Sequence, residues 1–291
     1  MTARPIAFLS DYGLADEFVG VVHGVIARRC PEARVIDVSH GIPRQDVRAG
    51  ALVLARALPF MPEGSVGLAV VDPEVGARRR AVALRCAEED RLLVGPDNGL
   101  LLPAAERFGG VVEAAEISTS PWRLEPVSAT FHGRDLFAPV AARLAGGAEL
   151  ADAGRPLDPD ELVALPFTRA ALDGDALVAH AVLADGYGNV QLDATVADLA
   201  GLGVKLGGVV EVSARRPAAP RRTTLTAADA VAEGAPARQV RFARTFADVG
   251  PGEVLLYEDP SRVLALAVNG GDAAAAFGVR PGDEVRLRRA P

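Results

Sequence analysis

The segment Val70–Arg80 joins an acidic residue and three arginines to the end of an apolar run. Asp72 follows that run, and open α/β sheets bind ligands beside the carboxyl ends of their strands, so Asp72 is a candidate site residue. A carboxylate and the Arg79 guanidinium, closing across one loop, can hold a water molecule at low net charge. Taken alone, the segment is more typical of a solvated turn after a core strand, because Asp-Pro and Gly are ordinary loop residues. Three successive arginines cannot all face inward, so at least one of Arg78, Arg79 and Arg80 is expected in solvent.

Two further segments carry groups suited to the same chemistry. Asp11 follows the apolar run Ile6–Leu9, and a carboxylate there suits a ribose diol because it accepts hydrogen bonds from two hydroxyls. His132 lies among small and polar residues before a predicted helix, which suits a proton acceptor more than a core histidine. The remaining histidines lack comparable surroundings, although His40 is a candidate for the same sheet edge: His23, His40 and His180.

A fourth segment, Asp185–Asn189, places an aromatic residue between two glycines and next to an amide. Tyr187 could stack on a purine ring while Asn189 pairs along its edge. A glycine-rich hairpin turn is the alternative, and the local pattern alone favours the turn.

The composition bounds the class of protein. The chain has 291 residues, of which 49% are hydrophobic and 24% charged, which predicts a globular protein of two domains. The net charge is −7 and the arginines are scattered, so the sequence lacks the basic patch that is typical of nucleic-acid binding. A small-molecule partner is therefore expected. Cys30 and Cys86 lack the spacing of a disulfide framework or a zinc site and fit a reducing cytoplasm. The sequence has neither a signal-peptide pattern nor the run of about 18 apolar residues that spans a bilayer.

The first half of the chain alternates strand-like and helical patterns. This βαβαβ order predicts an α/β domain with a mainly parallel central sheet covered by helices. The predicted strands are Ile6–Leu9, Val35–Val38, Val66–Val71, Ala81–Cys86 and Leu92–Val94, and the predicted helices are Glu17–Arg29, Asp46–Leu58, Leu101–Phe108 and Leu136–Ala145.

The second half has a different pattern. Residues 148–175 are rich in Pro, Asp and Gly, which indicates a boundary; we predict an α/β domain over 1–168 and a second domain over 169–291. Short β-like runs punctuated by Gly and Pro favour a small antiparallel barrel or sandwich in the second domain, with Arg215–Arg222 as an exposed loop. These runs are Ala176–Leu183, Val190–Leu192, Val209–Val212, Gln239–Phe242, Val254–Tyr257, Val263–Val268 and Glu284–Leu287.

Together the motifs resemble the S-adenosylmethionine hydroxide adenosyltransferases, a family similar to the S-adenosylmethionine-dependent fluorinases and chlorinases. The matching segments are Phe8–Gly13, Asp72–Arg80, Gly95–Leu100, Phe131–Asp135, Asp185–Asn189 and Ala267–Ala274. The resemblance implies an α/β domain followed by an antiparallel β-barrel, in a homotrimer with substrate at the subunit interfaces. The implied reaction is S-adenosylmethionine plus water giving adenosine and L-methionine, with no cofactor.

The resemblance also assigns residues. The family's catalytic Asp, Arg and His fall on Asp72, Arg79 and His132. The implied substrate-binding residues are Asp11 for the ribose and Asp185, Tyr187, Asn189 and Asn269 from the barrel.

One position departs from the family pattern, which reads Asp-Pro-Gly-Val-Gly where this chain has Glu74 in place of the first glycine. If the backbone at that position has a positive φ, Glu74 is strained by about 1 kcal/mol or more.

The implied chemistry limits what the protein must supply. A sulfonium leaves as a neutral thioether, so only the water nucleophile needs help, through orientation and removal of its proton. We expect Arg79 to lower the pKa of the water and Asp72 with His132 to accept its proton. Because the leaving group is already activated, no metal is expected.

Three alternatives differ in product or class. A halogenase would bind a halide at this position, which the Asp72 carboxylate would repel. A non-catalytic adenosine-binding module would retain ligand without releasing methionine. A nucleotide-dependent oxidoreductase is disfavoured because no glycine fingerprint follows the first strand.

Overall fold

The computed structural model describes residues 2–216 and 237–290. The chain divides into two compact units, Met1–Pro166 and Phe167–Pro291, each with its own apolar core. Residues 217–222 of the predicted exposed loop lie outside the described residues. The two-part fold class predicted from the sequence is confirmed.

The first unit is built on a seven-stranded sheet with the strand order β2-β1-β3-β5-β4-β6-β7. The pairings β2–β1, β1–β3 and β3–β5 are parallel, and the remaining three are antiparallel. The strands are β1 (Ile6–Ser10), β2 (Val35–Ser39), β3 (Val66–Val70), β4 (Ala81–Cys86), β5 (Leu92–Pro96), β6 (Val111–Glu116) and β7 (Arg155–Leu157).

Every residue of β1, β3 and β5 is buried, which shows that both faces of this part of the sheet are covered. The helices are α1 (Phe18–Arg29), α2 (Val47–Ala57), α3 (Leu102–Glu106) and α4 (Ala138–Ala145). Helices α1 and α4 share one apolar cluster with β1, β3 and β5, whereas α2 contacts β1 and α3.

Local signals explain where two of these helices begin and end. Asp46 caps α2 by accepting a hydrogen bond from the backbone N–H of Ala49 at 2.9 Å. Pro59 cannot continue the α-helical hydrogen bonds, and the chain leaves α2 through a 3₁₀ turn at Leu58–Phe60. A π-helical turn over Gly133–Phe137 leads into α4.

Two strands of the sheet were not predicted. Strand β6 lies at the antiparallel side of the sheet, and β7 adds part of the predicted boundary region to that edge. Their sequences, VVEAAE and RPL, are short or rich in alanine and carry little strand signal of their own.

The second unit is a closed barrel with a short added strand. Its sheet runs β10-β14-β13-β12-β11-β15-β9-β8, and an additional pairing of β10 with β9 closes a ring of seven strands. All pairings are antiparallel except β12–β13. The strands are β8 (Ala171–Asp173), β9 (Ala176–Ala184), β10 (Val190–Leu192), β11 (Val209–Arg215), β12 (Arg238–Phe242), β13 (Val254–Glu258), β14 (Leu264–Val268) and β15 (Glu284–Arg289), with short helices α5 (Val196–Ala200) and α6 (Ala273–Phe277).

Within the described part of the chain, no helix combines the length and the apolar character required to cross a membrane.

Candidate active site

Three acidic side chains follow three neighbouring parallel strands. Asp11 follows β1, Asp72 lies two residues after β3, and Asp97 follows β5. Strands β1, β3 and β5 are adjacent and parallel, so their carboxyl ends lie along one edge of the sheet. This edge is where open α/β sheets place their ligands, as predicted for Asp11 and Asp72.

Asp72, Arg79 and His132 form one hydrogen-bonded chain. The Nε of Arg79 donates to both carboxylate oxygens of Asp72 at 2.9 Å, and an Nη2 hydrogen bond joins the same pair. The Nη2 of Arg79 also lies 2.8 Å from the Nδ1 of His132. The structure therefore brings these three residues, 7 and 53 positions apart, into direct contact.

The acidic and basic members of this chain are almost completely removed from solvent. The side chains of Arg79 and Asp72 are 4% and 5% exposed, and the Arg79 guanidinium lies 5.2 Å from the ring centre of Phe137. Two opposite charges in such a place must be paired, because a single buried ion is costly. The charges of Asp72 and Arg79 cancel, so the Arg79 guanidinium can be held beside His132 without leaving a net charge in the buried pair.

The contact between Arg79 and His132 determines the protonation state of the imidazole. A guanidinium can only donate, so the Nδ1 of His132 accepts and its remaining proton is on Nε2. Burial and the nearby Arg79 charge both lower the pKa of His132 below its ordinary value of 6.5. His132 is therefore neutral at pH 7.

The loop between Asp72 and Arg79 turns at Gly76 and not at Glu74. Gly76 has φ of +77°, whereas Glu74 is not among the residues with positive φ, so the strain considered for Glu74 does not arise. A Cβ at Gly76 would lie 2.3 Å from the carbonyl oxygen of Ala129. Only glycine allows this loop to press against the chain that leads to His132.

The three successive arginines separate as expected. Arg78 is exposed, while Arg79 binds Asp72. Arg80 turns to the neighbouring strand end, where its Nε donates to Asp97 at 2.8 Å and its Nη1 donates to Glu161 at 3.1 Å.

Asp97 and Asn98 position the site, a role not assigned to them from the sequence. The buried carboxylate of Asp97 accepts from Arg80 and from the backbone N–H of Val163 at 2.9 Å. The side-chain amide of Asn98 donates to the carbonyl of Val71, directly before Asp72, at 2.9 Å. Their segment, Gly95–Leu100, belongs to the motifs that carry the family resemblance, which is the signal that could have identified them.

The turn that carries His132 is fixed by Asp135 and Tyr12. Asp135 is buried and accepts from the backbone N–H of Ser128 at 2.8 Å. Gly133 leaves room for Tyr12, since a Cβ there would lie 2.1 Å from the tyrosine hydroxyl. Burial, followed by the charges of Asp11 and Asp72, raises the pKa of Tyr12 far above its usual value, so it stays a neutral phenol.

Asp11 is held by an unusual backbone turn. Its Oδ2 accepts a hydrogen bond of 2.8 Å from the backbone N–H of Gln45, whose φ is +63°. The side chain stays partly exposed, and its Oδ1 has no hydrogen-bond partner among the residues that the structure describes. A free carboxylate oxygen at this edge can accept from a ligand hydroxyl.

In the barrel, Asp185 and Asn189 stabilise the hairpin loop between β9 and β10. Asp185 Oδ1 accepts from the backbone N–H groups of Tyr187 and Asn189, both at 2.9 Å, and its Oδ2 accepts from the Asn189 side chain at 2.8 Å. The Tyr187 side chain is left outside this network, with the residue 83% exposed. Of these three predicted binding residues, Tyr187 is the exposed one, whereas Asp185 is half-buried and Asn189 is buried.

Asn269, the fourth predicted binding residue of the barrel, has a similar local role. Its side-chain amide donates to the carbonyl of Val249 at 2.9 Å. The segment that follows reaches the hairpin loop, because a Cβ at Gly188 would lie 2.3 Å from the side chain of Asp272. Two of the sequence motifs are therefore in contact within the barrel unit.

A second group of polar residues lies at the far side of β1. His23, Asp37 and His40 converge there, although their spacing in sequence gave no metal-ligand signal. Within the described residues they are the one group of at least three histidine, cysteine or carboxylate side chains whose possible ligand atoms all lie within 4.8 Å of one another.

Comparisons with known proteins match the chain over most of its length. The model of the SAM hydroxide adenosyltransferase N-terminal domain matches residues 6–154, and that of the C-terminal domain matches residues 179–286. A Salinispora tropica protein named (R)-S-adenosyl-L-methionine hydrolase is 49% identical over 97% of each chain. A fluorinase from Nocardia brasiliensis is 29% identical over 98% of this chain and 97% of its own. A crystal structure of an uncharacterized conserved Thermotoga maritima protein superimposes with a TM-score of 0.84 at 34% identity, covering 98% of this chain and all of the other.

The geometry predicts opposite effects on His132 from its two charged neighbours. Arg79→Gln removes a positive charge and should raise the pKa of His132, whereas Asp72→Asn removes a negative charge and should lower it. Nuclear magnetic resonance titration of the imidazole C–H signals measures both, with His180 of the barrel as the internal control. A His132 midpoint that moves the same way in both variants would contradict the assigned contacts.

Proposed function

Because the chain belongs to the SAM hydroxide adenosyltransferase family, we propose that it hydrolyses S-adenosyl-L-methionine to adenosine and L-methionine. The observation that carries the proposal is the contact of Asp72, Arg79 and His132, which are the residues matched to the family's catalytic positions. The Salinispora tropica relative, named as a hydrolase of this substrate, supports the same reaction.

The reaction is a displacement at the ribose C5′. A water oxygen forms a bond to C5′ while the C5′–S bond breaks, and the electron pair of that bond goes to sulfur. Sulfur loses its positive charge and departs as the neutral thioether of methionine, so no general acid and no cofactor are required. The difficult part is the nucleophile, because water attacks poorly at neutral pH until it is oriented and loses its proton.

Asp72 is the proton acceptor in this proposal. Its two oxygens offer about four lone-pair sites, and the contacts with Arg79 leave acceptor capacity for a water molecule. The positive charge of Arg79 stabilises the negative charge that grows on the water oxygen as the proton leaves.

His132 is a positioning partner and not the first base. Its Nδ1 lone pair is occupied by Arg79, so it cannot take a proton there without releasing the guanidinium. The neutral ring holds Arg79 against Asp72 and presents its Nε2–H as a donor. This revises the expectation from the sequence, in which Asp72 and His132 share the proton.

The substrate-binding roles follow from the same geometry. We assign the ribose hydroxyls to Asp11 through its unoccupied oxygen, and the purine to the exposed ring of Tyr187 by stacking. Asp185, Asn189 and Asn269 then act by fixing the loops that hold the nucleoside.

We also propose which epimer is the substrate, the oligomeric state and the location of the protein. The substrate is the (R) sulfonium epimer named for the Salinispora tropica relative. The protein works as a homotrimer with substrate at its subunit interfaces, and it works in the cytoplasm, which the free, buried Cys30 and Cys86 support. Light scattering should give three times the mass of one chain, and a monomer that turns over substrate at full rate would contradict the trimer.

Product analysis tests the reaction itself. Incubation with each sulfonium epimer, with and without excess chloride, should release adenosine and methionine in equal amounts, faster from the (R) epimer. Because Asp72 repels an anion, chloride should give no halogenated nucleoside. Chlorinated product would favour a halogenase, and bound adenosine without methionine release would favour a binding module.

Variants of Asp72 and of the neighbouring arginines can distinguish an effect on turnover from an effect on adenosine binding. Arg79→Ala and Asp72→Asn should each lower turnover by about 10²–10⁴-fold, the range for loss of a proton-transfer group or an electrostatic stabiliser. Adenosine affinity measured by calorimetry should stay nearly unchanged, because neither side chain contacts the nucleoside in this proposal. Arg78→Ala is the matched control, since Arg78 is the exposed neighbour, and it should retain full turnover.

The assigned roles would be wrong if adenosine binding fell while turnover of bound substrate was retained. Equal losses for Arg78→Ala and Arg79→Ala would also contradict them, because they would indicate a general effect of charge and not the contact with Asp72.

A further inference from the structure

Three side chains from two segments of the sequence meet beside the edge strand β2. His23 comes from α1, Asp37 from β2, and His40 from the residue directly after β2. The Oδ1 of Asp37 lies 2.8 Å from the Nε2 of His23 and 3.1 Å from the Nε2 of His40. All three ligand atoms lie within 4.8 Å of one another.

His40 is the anchor of this group. Its side chain is 3% exposed, and its Nδ1 lies 2.8 Å from the hydroxyl of Ser10, which is fully buried at the end of β1. The ring also packs edge-on against Phe8, with 4.6 Å between ring centres. The orientation of the imidazole is therefore fixed from behind.

The Nε2 of His40 is left without a hydrogen bond. It is completely buried and points at Asp37, but the alignment with the carboxylate does not make a hydrogen bond. A buried ring nitrogen without a well-aligned hydrogen bond is costly, and a bound cation is one group that would satisfy it. If the Nδ1–H of His40 donates to Ser10, the Nε2 presents a lone pair to the space between the three side chains.

The donor set and its dimensions fit a small transition-metal ion. Two imidazole nitrogens and one carboxylate oxygen are ligands that Zn²⁺ prefers. Bonds of about 2.0–2.1 Å in tetrahedral geometry separate ligand atoms by about 3.3 Å. The separations of 2.8 and 3.1 Å reach this value with small side-chain shifts.

The surroundings also match a metal site. A ligating histidine normally donates its other ring N–H to a fixed partner, the position that Ser10 occupies behind His40. His23 and Asp37 keep 35% and 44% of their side chains exposed, so the ion has an entry path and room for a water ligand.

We propose that His23, Asp37 and His40 form a binding site for one Zn²⁺ ion, with a fourth position open to solvent. The site lies behind the strand end that carries Asp11. The backbone N–H of Gly13 donates to the carbonyl of His40 at 2.8 Å, so an ion on His40 braces the segment from Ser10 to Gly13. The site does not depend on the proposed hydrolysis, and either proposal can fail alone.

Titration calorimetry of the full chain without an affinity tag tests the site directly. Zn²⁺ should bind once per chain and raise the melting temperature, because an ion that binds only the folded state stabilises it. Mg²⁺ should not bind, since it prefers oxygen ligands. His23→Ala and Asp37→Asn should each weaken Zn²⁺ binding by more than about 100-fold, beyond the loss expected for an outer partner.

His180→Ala is the matched control. His180 lies 3.0 Å from Asp193 in the barrel, a histidine–carboxylate pair without the third ligand. It should bind Zn²⁺ as the unaltered protein does. His23 lies partly exposed on α1, so its variant should fold, and the melting curve without metal verifies this. The proposal is overturned if the unaltered chain shows no saturable Zn²⁺ binding below about 1 mM. It is equally overturned if His23→Ala and Asp37→Asn bind with unchanged affinity.

Discussion

The buried ion pair of Arg79 with Asp72 is the interaction on which the candidate site depends. Removing two charges from water costs several kcal/mol per ion, and the cost is offset only by good geometry and further hydrogen bonds. Here Arg79 reaches both oxygens of Asp72 and also the Nδ1 of His132. An apolar pair of similar volume could stabilise the fold as well, so stability alone does not account for the buried charges.

This pair demands a rigid frame, since a fixed dipole stabilises a developing charge only when it does not have to reorganise. The frame comes from neighbouring strand ends. Asn98 fixes the carbonyl before Asp72, and Gly76 lets the arginine loop press against Ala129 on the way to His132. Each contact joins two segments far apart in sequence, so the site is held by the sheet and not by any single loop.

Much of this frame can be predicted from the sequence, because the carboxyl ends of neighbouring parallel strands lie along one edge of a sheet. The alternation of apolar runs and helical periodicity predicts that Asp11 and Asp72 share one sheet edge, and the motifs predict His132 as their partner. Which group donates and which accepts a hydrogen bond cannot be predicted from the spacing of residues in the sequence. The neutral state of His132 follows from Arg79 donating to it, and the local function of Asp185 follows from a loop geometry that spacing does not reveal. The group of His23, Asp37 and His40 could not be predicted from sequence spacing, because only the packing of α1 beside β2 brings His23 to the other two residues.

The two units use their polar side chains differently, and this difference explains which residues can meet a ligand. In the α/β unit, Asp72 and Arg79 satisfy each other and keep their reactive atoms buried beside a strand end. In the barrel, Asp185 and Asn189 use polar atoms to close a hairpin loop, and the side chain of Tyr187 is left exposed beside this network. An aromatic face recognises a ring without directional hydrogen bonds, and this is the kind of contact that the exposed Tyr187 side chain offers. In the α/β unit, Asp72 and Arg79 balance each other's charge and need no further counterion, whereas Asp11 keeps a carboxylate oxygen that accepts no hydrogen bond within the described residues.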